Sequence, residues 1–224
     1  MSPFAVLARS VRYLAPIALL SVIAMAPIAL VAFGVAAPAN AKQASIVLRV
    51  AWLCAASGMI ALLVLVGALA PILRGERTSQ LVALARGARG MMRAIVPAIV
   101  VLCAVAMGLV ALVVPGLLLY GLFVLAPASE ADGVAAKLAD SAVVVRRRWR
   151  AIVLVIALTM IALAAVVAVQ QLLLPIPLGK SPTRAQLVMF PQMVRLTGIA
   201  MVGIVPCAAM ALAAIQASVT SNSR

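Results

Sequence analysis

The residues able to carry chemistry are few and poorly spaced for it. Histidine is absent, and only four acids occur: Glu76, Glu130, Asp132 and Asp140. A serine or cysteine nucleophile therefore has no imidazole base, the partner that hydrolase triads use. Cys54, Cys103 and Cys207 stand far apart in apolar runs, without CxxC or Cys/His spacing. They read as small buried apolar side chains, not as metal ligands or a disulfide. No Walker-type or dinucleotide glycine pattern occurs. All four acids lie outside the apolar runs, whereas proton-coupled carriers keep Asp, Glu or His at membrane depth. Ser21, Ser57, Thr159, Gln170 and Gln171 are the polar groups left there, and they are expected to hydrogen-bond between helices. The reading is no catalytic residue, no metal site and no cofactor.

Arginine is the abundant functional group. The chain carries 18 basic residues, 15 of them Arg, and a formal net charge of +14. These charges fall between apolar runs and not on a soluble face, so the expected partner is anionic membrane lipid and not nucleic acid. Two groups stand out: Arg86, Arg89 and Arg93, and the run Arg146-Arg147-Arg148-Trp149-Arg150. Tryptophan beside arginine at the mouth of an apolar run is an interfacial anchor, and the same group can hold an acidic head group.

The elements that must position these groups follow from hydropathy. Hydrophobic residues make up 67% of the chain and charged residues 10%, against roughly 45–50% and about 25% in soluble domains. The fold class is all-α integral membrane, with residues 1–224 forming one polytopic domain. Charges delimit five uncharged runs, and the third, from Ala94 to Ser129, has 36 residues. As one helix it would be about 54 Å long, against a hydrocarbon core of about 30 Å. It contains Pro115-Gly116, a strong punctuator.

The positive-inside rule chooses between one pass and two. A single pass divides the basic residues 10 to 8, whereas a hairpin divides them 13 to 5. The hairpin is therefore expected, with Pro115 and Gly116 as its hinge. That gives six passes at about 14–37, 50–73, 94–114, 116–128, 151–174 and 196–217, with both termini cytoplasmic. The second arm is short, about 21 Å of helix, so a re-entrant segment also fits. Ala39-Asn40-Ala41 looks like a signal-peptidase site, but the preceding apolar run exceeds the roughly 7–15 residues of a signal peptide. An uncleaved first span is expected.

Two cytoplasmic segments are expected to be amphipathic helices. Over 79–93 a helical wheel separates Arg86, Arg89 and Arg93 from Leu81, Leu84, Ala85, Ala88 and Met92. Gly87 and Gly90 weaken that helix. In the second segment, Ser129 and Asp132 resemble an N-terminal capping box, and Glu130 suits the positive end of the dipole. An Ala-rich helix over 134–145 then leads to the arginine run. Between Pro175 and Arg195 four prolines predict an irregular outer loop, with one short helix near 183–189.

The stretch from Val113 to Ile152 carries Pro115, Gly116, Tyr120, Pro127, Glu130, Gly133, Ser141 and Trp149 in order. It resembles the bacterial membrane-protein family that includes the YciC-like proteins and the membrane domain attached to some glycerophosphodiester phosphodiesterases. It departs from that pattern at Gly121-Leu122, where an arginine is frequent, at Ala142, where an aromatic is frequent, and in the all-arginine approach to Trp149. The resemblance covers about 40 of the 224 residues. It implies a multi-span protein of the bacterial cytoplasmic (inner) membrane. The fused members' hydrolase belongs to a separate domain that has no counterpart in this sequence.

The function expected is non-enzymatic: organising or contacting lipid, or a membrane partner or second copy, through a basic cytoplasmic face. The alternative is a permease subunit energised by a separate ATPase, supported by the Pro-Gly break and the uncharged spans. An enzyme of lipid metabolism would have to work through Glu130, Asp132 or Asp140, and no pairing among them recommends it.

Overall fold

Lipid tails are as apolar as leucine, so helices in a bilayer associate where small residues let their backbones come close. That rule organises this chain. The structure, a computed structural model, describes residues 11–34, 41–74, 79–111, 113–173 and 184–220. Among the described residues there is no strand. The helices are α1 (Leu14–Gly34), α2 (Ala41–Arg74), α3 (Gln80–Ala111), α4 (Val113–Phe123), α5 (Val134–Leu173) and α6 (Arg184–Thr220), with 3-10 turns at Val11–Tyr13 and Ala126–Ala128. Five stretches are long and apolar enough to cross a membrane, and a shorter apolar helix covers Leu118–Ala128. The protein is a multi-pass helical membrane protein.

Helix α2 is the hub. It packs against α1, α3, α6 and the Ala126–Ala128 turn, and 67% of its Ser57–Arg74 stretch is buried. Helix α5 lies at the periphery, with only 6% of the apolar 18-residue window of its Val134–Val166 stretch buried. The tightest junction centres on Gly67. A Cβ there would fall 2.8 Å from the Pro127 carbonyl oxygen and nearer still to the Ala94 methyl. Gly90 of α3 is as tight, since its Cβ would meet the Pro71 ring at 2.9 Å and the Gly67 carbonyl at closer range.

Helix α4 runs back along α3. The Gly108 and Gly116 backbones touch, so a Cβ on Gly108 would sit 2.9 Å from the Gly116 Cα. The return ends at the Ala126–Ala128 turn, against Gly67 and beside Ala94. From Ala94 to Ala111, α3 rises about 27 Å, whereas α4 supplies only about 16 Å. The two arms are thus unequal, and the expected hinge at Pro115 and Gly116 does not fall between them. The helices meet between Ala111 and Val113, and Pro115 and Gly116 lie inside α4. Proline is tolerated in a first helical turn, where its missing N–H has no partner to lose.

Other boundaries also shift. The segment 79–93 and the first half of the third apolar run, as far as Ala111, form one continuous helix through Pro97. The strip of α3 facing the core is Ala83, Gly87, Gly90 and Ala94, while Leu81 and Met92 are exposed. Gly87 and Gly90 are therefore close-approach positions more than weak points. Helix α2 begins at Ala41, before the expected start at 50. The short helix expected near 183–189 is the beginning of α6, which continues through Pro191 and Pro206. Neighbouring helices and local adjustments let membrane helices carry proline. The Ala39–Ala41 cleavage motif, Glu76 and residues 174–183 of the outer loop lie wholly or partly outside the described residues.

The expected capping box does not form. Ser129 Oγ accepts the Ala131 N–H at 3.2 Å, a local turn ahead of the helix. Gly133, at φ +84°, immediately precedes α5, and its carbonyl accepts the Lys137 N–H at 3.2 Å. Glycine suits this position because φ > 0 costs it nothing.

Candidate functional site

Helix α5 carries the arginine run across a break. Arg148 has φ −127° and ψ 25°, outside helical values, and helix continues on both sides. Neither proline nor glycine marks the place, so hydropathy and propensity could not reveal it. On an unbroken helix successive side chains turn by about 100°, so six consecutive residues would point all round the axis. Here Arg146 to Ala151 line one open hollow of ≈ 370 Å³. All four arginines are exposed. Trp149 is 54% exposed, and the Arg150 guanidinium sits 5.6 Å from its ring centroid, within cation–π range.

Among the described residues no acid pairs with these arginines. Among the described residues the ion pair present is Arg74–Glu130, on another part of the fold. Asp140, the acid nearest in sequence, makes no ion pair with the run. Below the hollow, Val153, Leu154, Leu158 and Ile161 are each more than half exposed. They continue from Arg150 at helical spacing, forming an apolar strip directly under the charges.

The other basic group lies elsewhere. Arg89 and Arg93 are exposed on α3, and Arg86 is half-buried. Helices α3 and α5 barely touch, with α4 packed against both. The two predicted clusters are therefore separate patches and not one surface.

Two polar contacts fix the platform on which the run stands. Ser141 of α5 is fully buried and donates to the Leu122 carbonyl at 2.8 Å. Leu122 is in the last turn of α4, where carbonyls lack intrahelical donors. Arg74, at the end of α2, donates to Glu130 Oε1 at 2.7 Å and also to the Ala128 carbonyl. Its place in a last turn suits the helix dipole. Neither contact can be read from the sequence, because the partners are 19 and 56 positions apart.

Two of the polar groups at membrane depth, Ser21 and Thr159, behave differently from expectation. Ser21 donates to the Ile17 carbonyl at 2.8 Å and Thr159 to the Val155 carbonyl at 2.7 Å, each within its own helix. The Gln170 and Gln171 side chains lie outside the described residues, as do those of Cys54 and Pro115. Cys103 and Cys207 are free and exposed, so they face outward from the bundle and not into it. Among the described residues no three His, Cys, Asp or Glu side chains gather into a metal-binding group. Comparison with family models, with characterised proteins and with solved structures returned no match to this chain.

Proposed function

We propose that this chain is a non-enzymatic protein of the bacterial inner membrane whose basic cytoplasmic face holds anionic lipid, or a membrane partner bearing anionic groups. The observation that carries the reading is the run Arg146 to Arg150: four exposed arginines around one hollow, above an exposed apolar strip. Basic residues at a membrane surface attract anionic lipid by about 1 kcal/mol each. Four such residues give a preference well above that of one anchor residue. The reading includes six passes with both termini cytoplasmic. Its support is the return of α4 along α3 and the 13 to 5 division of basic residues that this return implies. It also includes kinship with the YciC-like membrane proteins, resting on the Pro115 to Trp149 residues that match their pattern.

The test replaces Arg146, Arg147, Arg148 and Arg150 together with alanine. Protein extracted in mild detergent is then analysed for bound lipid by mass spectrometry and for partners by pull-down. Loss of most co-purifying anionic lipid, or of a specific partner, is expected. If both are unchanged in a variant that still inserts, the reading fails.

A further inference from the structure

We infer that the broken helix at Arg148 is a selective site for a lipid whose head carries two phosphates, as in cardiolipin. The inference rests on the lipid-contact reading and narrows it.

Three features set the ligand class. The first is stoichiometry. A phosphodiester carries one charge and two free oxygens, which a single guanidinium engages through two parallel hydrogen bonds. Four guanidinium groups border this hollow, and no described acid pairs with them. One phosphate leaves most of that charge unmatched, whereas two phosphates on a short bridge can each take a pair of arginines.

The second feature is shape. The hollow is open and shallow, bordered only by the consecutive residues Arg146 to Ala151, so it suits a head group held at a surface and not a ligand enclosed in a cavity. It coincides with the place where the chain leaves helical geometry, at Arg148. A simple interfacial anchor needs no such break, since exposed arginines on a straight helix reach the head groups by extension.

The third feature is the apolar strip of Val153, Leu154, Leu158 and Ile161, which leaves the hollow in the direction of the span. A soluble diphosphate has no use for it, but acyl chains attached to the bound head lie along it. Trp149 borders the hollow, with the Arg150 guanidinium 5.6 Å from its ring centroid. Amphipathic aromatic rings favour this level of a membrane.

The chain has two tryptophans, so Trp52→Phe leaves Trp149 as the only tryptophan reporter. The full-length protein in nanodiscs of zwitterionic lipid is titrated with brominated cardiolipin or brominated phosphatidylglycerol at matched negative charge. Native mass spectrometry of the unsubstituted protein with the same lipids provides a second readout, should Trp52→Phe disturb insertion. Quenching of Trp149 at about tenfold lower charge-equivalent concentration of cardiolipin is expected, the effect of one additional charge-assisted contact. Replacing all four arginines with lysine keeps the charge and removes the paired hydrogen bonds, so binding persists and the preference collapses. Equal quenching by the two lipids at matched charge overturns selectivity and leaves the lipid-contact reading standing. No quenching by either overturns both. Displacement of cardiolipin by millimolar inorganic pyrophosphate overturns the assignment to a lipid.

Discussion

Arg74 and Glu130 are 56 positions apart in sequence, yet their side chains meet at 2.7 Å. Between them the chain runs out along α3 and back along α4. The contact closes that hairpin at its base, and the second hydrogen bond of Arg74, to the Ala128 carbonyl, pins the turn that ends it. Arg74 is 13% exposed at its side chain and Glu130 64%, so the two partners contribute unequally. The arginine has left water to reach a carbonyl and a carboxylate, whereas the carboxylate remains largely solvated.

That asymmetry makes a prediction. Arg74→Ala removes both hydrogen bonds and is expected to cost about 1.5–3 kcal/mol, the range for a bond to a charged group. Glu130→Gln removes the charge from the largely exposed partner of this ion pair and is expected to cost no more than about 1 kcal/mol. Reversible unfolding in mixed micelles measures both. Equal losses would show that the pair, and not the carbonyl contact, holds the turn.

The Gly67 junction makes a second prediction. Gly67→Ala forces a methyl against Pro127 and Ala94 and is expected to destabilise by about 1–3 kcal/mol, the usual cost of overpacking. Gly203 lies on α6, and a methyl there would have no atom within 4 Å. Gly203→Ala is therefore expected to be neutral, or stabilising by about 0.5–1 kcal/mol through helix propensity. A neutral Gly67→Ala in the same unfolding assay would mean that α2, α3 and the turn do not approach as closely as described.

These residues also show what is legible in the sequence. The long apolar stretches can be read directly because a bilayer demands about 20 apolar residues per helix, and charges mark their ends. Gly87 and Gly90 mislead for a physical reason: propensity counts glycine only as a cost, while close packing uses its missing side chain. Pro97 and Pro191 look like breaks but lie inside helices. The break that matters for the site, at Arg148, has no local signature at all. The arginines around it are obvious in the sequence, but their gathering about one hollow is a property of the folded chain.

The exposed cysteines test what surrounds the bundle. Cys103 and Cys207 face outward, and in a membrane the medium there is acyl chain. A charged reagent does not enter that medium, because leaving water costs an unpaired charge heavily. In a Cys54→Ala background, a charged maleimide is expected to leave both unmodified in intact or permeabilised vesicles and to label both in dodecyl sulfate. Labelling of Cys103 in permeabilised vesicles would reveal a water-filled path along α3, and that result would favour a permease.

The number of passes can be decided by the same chemistry outside the apolar stretches. If α3 and α4 together leave one face and return to it, positions before and after the hairpin share a side of the membrane. The Arg74–Glu130 contact supports this arrangement, because the two groups could not meet from opposite faces of a hydrocarbon core about 30 Å thick. Single cysteines at Ser79, Ala131 and Arg147, introduced into a chain without its own cysteines, are expected to label from one side only. A cysteine at Lys180 is expected to label from the other. The Ala131 site is the decisive one. Should Ala131→Cys and Ser79→Cys report opposite sides, the chain crosses once between them and α4 is the end of a long span. Should they agree while Arg147→Cys reports the opposite side from both, the membrane lies between the Ala126–Ala128 turn and the arginine run, and the basic face proposed for lipid contact loses its place.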